Sequence, residues 1–130
     1  MKILVCYRGS DIGRDLLQLA ARHAQAFTGE IIVITSLMGG DRTTRDKVEK
    51  AEKNLEMAES FFSDQGLTCT THLLIRNNTA GEDIVSFARE HDVDEIVIGV
   101  KSRSKVGKLL FGSTAQYVIL RAHCPVVTAK

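Results

Sequence analysis

The sequence predicts an α/β fold in which one five-stranded, mostly parallel sheet carries helices on both faces. Short runs of aliphatic and β-branched residues alternate with segments whose apolar residues recur at helical spacing. The runs are nearly apolar throughout, which is typical of strands buried on both faces of a parallel sheet. These observations favour a doubly wound, Rossmann-like sandwich, and right-handed crossovers favour the strand order 3-2-1-4-5. At 130 residues, we expect one domain over residues 1–130.

The first third of the chain predicts two strands with a helix between them. A nearly unbroken apolar run over residues 3–7 predicts the first strand. Ser10 or Asp11 is available as the N-cap of the following helix, which Gly29 ends. β-Branched residues dominate residues 30–37 and predict a second buried strand.

The middle third predicts a long helix, a strand and a short helix. After a break at residues 39–41, apolar residues recur along one helical stripe: Val48, Ala51, Leu55, Ala58 and Phe62. Gly66 ends this helix, and residues 68–75 predict the third strand. Thr79 and Glu82 have the spacing of a capping box, in which the Thr side chain accepts from the third helical amide and Glu82 reaches back.

The last third predicts a strand, a loop, a helix and a short final strand. Residues 95–98 predict the fourth strand, a helix runs from Ser113 to about Leu120, and residues 125–128 predict the fifth. A short apolar strand at a sheet edge invites antiparallel pairing, so we expect a homodimer through residues 125–128. The alternative is an edge that its shortness and Pro125 keep free of partners.

Composition and charge restrict the classes of function. The formal net charge is +1, so no overall field attracts nucleic acid or an anionic membrane. No apolar run approaches the roughly 20 residues of a membrane span. The first residues predict a strand and do not have the pattern of a signal peptide. We therefore expect a cytoplasmic protein with no nucleic-acid or membrane partner.

The cysteines and histidines predict neither a disulfide framework nor a metal site. Cys6, Cys69 and Cys124 are far apart, lack C-x-x-C spacing and lie in or beside apolar runs. We expect them to pack as free thiols. His72, His91 and His123 have no carboxylate or cysteine partners at metal-ligand spacing. His23 lies near the apolar stripe of the first helix, where we expect a packed or half-exposed side chain.

A basic loop follows the fourth strand and predicts a phosphate-binding site. Between Gly99 and Ser113 the loop carries four cations: Lys101, Arg103, Lys105 and Lys108. Backbone amides of such a loop and of a helix N-terminus attract anions. In doubly wound sheets ligands bind where the strand order reverses, which places this loop beside residues 7–10.

Three known phosphate-binding patterns do not fit the sequence. The first strand is not followed by G-x-G-x-x-G, which argues against a dinucleotide fold. Leu109 stands where a P-loop needs Ser or Thr to hold magnesium. A phospho-receiver needs acidic residues after the first and third strands, and those positions are Tyr7-Arg8 and Arg76-Asn77.

Four segments, in order, resemble the universal stress protein family. They are Ile-Leu-Val-x-x-x-Gly-Ser at residues 3–10, Asp-Glu-Ile-Val-Ile-Gly at 94–99, Gly112-Ser113, and Cys-Pro-Val-Val at 124–127. The resemblance covers the whole chain. It implies a homodimeric, cytoplasmic stress-response protein that binds ATP as a sensor or regulator.

The resemblance also implies which residues bind the nucleotide. Family members that bind ATP carry G-x2-G-x9-G-[S/T] after the fourth strand, and this chain keeps the spacing with Ser102 in place of the second glycine. Ile98 and Gly99 would lie beside the nucleoside. The phosphates would meet Ser102, Gly112, Ser113 and Thr114. Arg103 in the same loop, and Gly9 and Ser10 after the first strand, complete the expected site.

Arg8 departs from the family pattern, which has Asp at this position facing the nucleoside. A guanidinium cannot accept hydrogen bonds from a base amine or a ribose hydroxyl. It can stack on a base or pair with a phosphate. Asp11 and Asp15 have two interpretations: ligands of a magnesium ion on the phosphates, or acids that favour the first turn of a helix.

Three functions remain open on the sequence. The favoured one is a regulatory ATP-binding protein in which phosphate contacts order the loop 100–111. The alternative is a family member without nucleotide that acts as a dimeric protein-interaction module. The third is a slow ATPase, for which the loop supplies charge stabilisation but no His, Glu or Asp as a base.

Overall fold

A computed structural model of the chain describes residues 1–9, 11–39, 44–76, 78–100 and 112–130, with the side chains of residues 11 and 12 outside the described part. The described residues form alternating strands and helices, as the sequence predicts. In chain order these are β1 (Lys2–Cys6), α1 (Asp11–Phe27), β2 (Glu30–Met38), α2 (Arg45–Ser63), β3 (Cys69–Arg76), α3 (Ala80–Glu90), β4 (Glu95–Gly99), α4 (Ser113–Arg121) and β5 (Val126–Ala129).

The five strands form one parallel sheet in the order β3-β2-β1-β4-β5. This confirms the predicted fold class and strand order, and all four strand pairs are parallel. Ile3 of β1 lies in register with Ile31 of β2 on one side and Glu95 of β4 on the other. The strand order therefore reverses between β1 and β4, and the carboxyl ends of all five strands lie at one edge.

Each face of the sheet has its own apolar core. Ile3, Val5 and Val33 point towards α1 and α2, whereas Leu4, Ile32 and Ile96 point towards α3 and α4. The opposed sets come from neighbouring positions of the same strands, because successive strand residues face opposite sides. Covering both faces explains why the strands are apolar without alternation.

The element boundaries lie within a residue or two of the predicted ones. The last strand is Val126–Ala129, one residue later than predicted, and α4 extends to Arg121. The capping residue of α3 is confirmed, since Thr79 Oγ1 accepts from the Glu82 amide at 3.3 Å. The Glu82 carboxylate accepts the Thr79 hydroxyl at 3.1 Å. None of the helices that the structure describes is long and apolar enough to cross a membrane.

Candidate functional site

A cavity of about 520 Å³ opens at the carboxyl edge of the sheet, where the strand order reverses. Its walls come from the ends of β1, β2 and β4 and from the N-terminal turns of α1, α3 and α4. The described lining residues are Cys6, Tyr7, Arg8, Gly13, Leu16, Ile34, Thr35, Ser36, Ala80, Ile84, Ile98, Gly99, Val100, Gly112, Ser113, Thr114 and Ala115. Its size and position are those of small-molecule sites in doubly wound sheets.

Six residues expected from the sequence line this cavity together: Arg8, Ile98, Gly99, Gly112, Ser113 and Thr114. Arg8 extends from the end of β1, Ile98 and Gly99 end β4, and the remaining three begin α4. Ser10, Ser102 and Arg103 lie outside the described residues, as do Lys101, Lys105, Lys108 and the side chain of Asp11. The structure describes Asp15 as an exposed residue of α1.

Gly9 forms the turn after β1 and is not among the described lining residues. Its φ is +72°, a left-handed conformation that disfavours residues with a Cβ. A Cβ there would also come within 2.4 Å of Asn54 Nδ2, and this amide donates to the Arg8 carbonyl at 3.4 Å. Gly9 therefore sets the path of the chain next to Arg8.

The N-terminus of α4 faces the cavity without a side-chain cap from the described residues. Gly112 is the N-cap, with φ −68° and ψ 158°, and it has no side chain that can accept from the first helical amides. Ser113 is the first helical residue, as the sequence predicts. Free amides at a helix N-terminus carry partial positive charge and suit a phosphate or carboxylate.

Hydrogen bonds fix the ends of β1 and β2 against each other. The Tyr7 amide donates to the Ile34 carbonyl at 3.0 Å. Thr35 Oγ1 in turn donates to the Tyr7 carbonyl at 2.6 Å. Because Thr35 is buried, this bond holds its hydroxyl in one orientation.

A fully buried carboxylate is hydrogen-bonded to a residue that lines the cavity. Asp83, in the first turn of α3, is 0% exposed and accepts from Ser36 Oγ at 2.7 Å. Asn78 Nδ2 donates to its other oxygen at 3.4 Å. The helix N-terminus also favours a negative charge at this position. Ser36 is half-buried and lines the cavity, so it contacts both the Asp83 carboxylate and the cavity.

Arg8 carries the one formal charge among the described lining residues. It lies near Cys6: burial raises the pKa of the Cys6 thiol to about 12, and the Arg8 charge opposes that rise. Burial also raises the pKa of Cys69, to about 11, and that of Cys124. All three thiols are free and half-buried. At neutral pH they are protonated and therefore weak nucleophiles.

A second buried carboxylate lies at the opposite edge of the sheet. Glu95 begins β4, and its Oε1 is 2.7 Å from Nδ1 of His23 on α1, with the two side chains 10% and 28% exposed. Of the packed and half-exposed positions that the sequence leaves open for His23, the structure shows the half-exposed one. In the part of the chain that the structure describes, no group of three or more His, Cys, Asp or Glu side chains can hold a metal ion.

The cavity residues that sequence reasoning did not identify come mainly from β2 and α3. Thr35 and Ser36 follow four apolar β2 residues, and this change from apolar to polar at a strand end is a usable signal. Asp83 gives a weaker signal, because an acid in the first turn of a helix is common at the surface. Nothing in the sequence pairs Asp83 with Ser36, 47 residues earlier.

Comparison with known proteins gives one family along the whole chain. The model described as the universal stress protein family matches residues 1–130. The universal stress protein MJ0531 of Methanocaldococcus jannaschii is 26% identical over 140 residues, which cover 99% of this chain and 81% of that protein.

Two solved structures from Archaeoglobus fulgidus are similar in sequence and fold. One, a universal stress protein, is 40% identical with a TM-score of 0.93, covering 100% of this chain and 98% of that one. The other, a universal stress protein in complex with dAMP, is 36% identical with a TM-score of 0.87 and the same coverage.

Proposed function

This chain belongs to the universal stress protein family, and we propose that its cavity binds an adenine nucleotide, with ATP as the cellular ligand. One observation carries the proposal: the N-terminus of α4, without a side-chain cap from the described residues, opens into a cavity at the point where the strand order reverses. The dAMP complex of the 36%-identical Archaeoglobus fulgidus protein supports the same ligand class.

The proposed ligand fits the distribution of polar and apolar groups in the cavity. The amides of residues 113–115 and the Ser113 and Thr114 hydroxyls are donors for phosphate oxygens. Arg8 adds a full positive charge, which pairs with a phosphate or stacks on the base. Ile34, Ile84 and Ile98 supply an apolar surface for the flat face of a purine.

A titration with ATP tests this proposal. Gly112→Val places a branched side chain at the helix N-terminus where a phosphate would approach. We expect micromolar binding by the unchanged protein and at least a tenfold loss in this variant, measured by isothermal titration calorimetry. Ala26→Val, at an exposed site near the end of α1, is the matched control. Equal affinity in both variants contradicts the placement of the phosphates.

We assign the bound nucleotide a regulatory role in a cytoplasmic stress response. The described lining residues include no carboxylate or imidazole that touches the cavity, so they do not supply a base for hydrolysis. Phosphate release from ATP, followed for hours at saturating nucleotide, tests this role. Turnover faster than about one per minute would favour the ATPase alternative.

We also propose that two copies pair through β5. This strand lies at the edge of the sheet and pairs on one side with β4. Ile96 donates to the Pro125 carbonyl at 3.0 Å, and Val100 donates to the Ala129 carbonyl at 2.9 Å. Along a strand, the backbone N–H and C=O groups of successive residues point to opposite sides. The backbone groups of Val126 and Thr128 are therefore directed away from β4, where a second strand can bind them. Light scattering of the eluting protein measures the resulting mass.

A further inference from the structure

We infer that Arg8 binds a phosphate carried on the ribose of the nucleotide, at its 2′ or 3′ position, in addition to the phosphate on the 5′ carbon. The inference rests on the proposed function, since it concerns the same cavity and the same class of ligand. It makes Arg8 a specificity-determining residue, which favours adenine nucleotides with a phosphorylated ribose over those with a free one.

Hydrogen bonds hold the backbone on both sides of the Arg8 side chain. Thr35 Oγ1 donates to the Tyr7 carbonyl at 2.6 Å, and Asn54 Nδ2 donates to the Arg8 carbonyl at 3.4 Å. Gly9 then turns the chain with a φ of +72°, which only glycine adopts without strain. The guanidinium therefore extends from a fixed point at the end of β1, and less freedom is lost when a ligand binds it.

The alternation of side chains directs Arg8 to the face of the sheet that α4 covers. Cys6 packs against the core below α3 and α4, whereas Tyr7 belongs to the core below α1 and α2. Successive residues of an extended chain face opposite sides, so Arg8 faces the same side as Cys6. Burial raises the pKa of the Cys6 thiol and the Arg8 charge lowers it, which agrees with a guanidinium near this thiol.

Arg8 has no acidic partner in the part of the chain that the structure describes. The ion pairs among these residues join His23 to Glu95 and Arg45 to Glu49. The described lining residues of the cavity include no carboxylate, and the Arg8 side chain is exposed, so a ligand can reach it. An anion at Arg8 therefore meets a full positive charge and no opposing negative charge from these residues.

The order of the strands places the ribose beside Arg8. The α4 amides proposed to bind the 5′ phosphate follow β4, and Cys6 of β1 lies in register with Ile98 of β4, roughly 5 Å away. The cavity extends from β4 to β1 and β2, and its described lining includes no residue of β5. Because the ribose is bonded directly to the 5′ phosphate, it lies over the next strand in that direction, which is β1.

A ribose phosphate matches a guanidinium better than a ribose hydroxyl does. Arg8 offers five N–H donors in a fixed fork and cannot accept the proton of a hydroxyl. A phosphate accepts two of these donors at once and also neutralises the charge. In doubly wound dinucleotide-binding sheets, an acidic residue near the ribose accepts from its hydroxyls, whereas an arginine there accommodates a ribose phosphate.

The test compares three ligands on the unchanged protein by calorimetry: AMP, adenosine 2′,5′-bisphosphate and adenosine 3′,5′-bisphosphate. We expect at least one bisphosphate to bind about tenfold more tightly than AMP, because a hydrogen-bonded pair of charges forms at Arg8. If AMP binds and neither bisphosphate binds more tightly, the inference is overturned and the proposed function stands. If none of the three binds, the proposed function fails and this inference fails with it.

Arg8→Gln tests whether Arg8 is the source of the gain, with ADP as a further ligand. The variant removes the charge, so the advantage of the bisphosphate over AMP should fall below about threefold. The advantage of ADP over AMP should stay as in the unchanged protein, because the second phosphate of ADP continues the 5′ chain and does not lie on the ribose. Arg22→Gln removes the same charge from the exposed face of α1 and is the matched control, which should keep both ratios.

Two results with Arg8→Gln would contradict the inference. The first is a bisphosphate that keeps its tenfold advantage over AMP, which would place the ribose phosphate elsewhere. The second is a loss of the advantage of ADP over AMP, which would place Arg8 on the 5′ chain. The comparison of ligands on the unchanged protein can overturn the inference even if Arg8→Gln fails to fold.

Discussion

Two buried carboxylates lie at opposite ends of the sheet, and only one of them is next to the cavity. Asp83 lies behind the cavity and is held by Ser36 and Asn78. Glu95 lies at the other edge, where His23 approaches to 2.7 Å. A buried carboxylate without a partner costs free energy of folding. Asp83 and its partner Ser36 lie next to the cavity, whereas Glu95 and His23 are remote from it.

His23→Ala should therefore lower stability without affecting nucleotide binding. The substitution leaves the 10%-exposed Glu95 carboxylate without its partner, and we expect a loss of about 1–3 kcal/mol in the free energy of unfolding. Urea denaturation measures it. His123→Ala, at an exposed position, is the matched control and should change stability by less than about 0.5 kcal/mol. Equal effects of the two substitutions would show that the pair with Glu95 contributes nothing.

Gly81 links packing to the site, because it is the point at which α3 and α4 approach each other. A Cβ at Gly81 would lie 2.9 Å from both Cβ and Cδ1 of Tyr117. The Tyr117 Cβ is fixed to the backbone and cannot rotate away. Gly81→Ala should therefore displace α4, lower the free energy of unfolding by about 1–3 kcal/mol and weaken nucleotide binding several-fold.

Gly66→Ala separates the loss of stability from the loss of nucleotide binding. Gly66 has φ +73° and no atom within 4 Å of an added Cβ, so strain should cost about 1 kcal/mol with no change in binding. Thermal unfolding and ATP titration on both variants measure the two quantities. A Gly81→Ala protein with unchanged ATP affinity would show that α4 does not need its present position.

At the scale of elements, β5 determines whether the sheet continues into a second copy. Thr128→Pro removes the outward backbone N–H, whereas the ladder to β4 is expected to use the neighbouring residues. We expect this variant to elute as a monomer in light-scattering chromatography. Thr128→Ala changes the same exposed side chain, keeps the N–H and should remain a dimer. A dimeric Thr128→Pro protein would place the interface elsewhere.

For the whole molecule, the sequence predicts the architecture better than the site. Both cores follow from unbroken apolar runs such as residues 31–34 and from the helical stripe of α2, because burial on two faces leaves a local pattern. The strand order follows from the preference for right-handed crossovers. The ends of β1 and β4 and the start of α4 were predicted to meet, since parallel strands end at one edge.

The β2 wall of the cavity was not predicted, for a physical reason. The Ser36–Asp83 bond joins residues that α2 and β3 separate in the chain, and neither residue has a local signature. Long-range polar pairs therefore require the structure, whereas apolar periodicity does not.

Nucleotide released from the purified protein tests the central claim most directly. The protein is denatured after extensive washing, and the supernatant is analysed by ion-pairing chromatography with ultraviolet detection. We expect an adenine nucleotide, or, where washing has removed it, a rise of several degrees in Tm when millimolar ATP is added. A supernatant without nucleotide, together with an unchanged Tm at millimolar ATP, would contradict the assignment of the cavity as a nucleotide site.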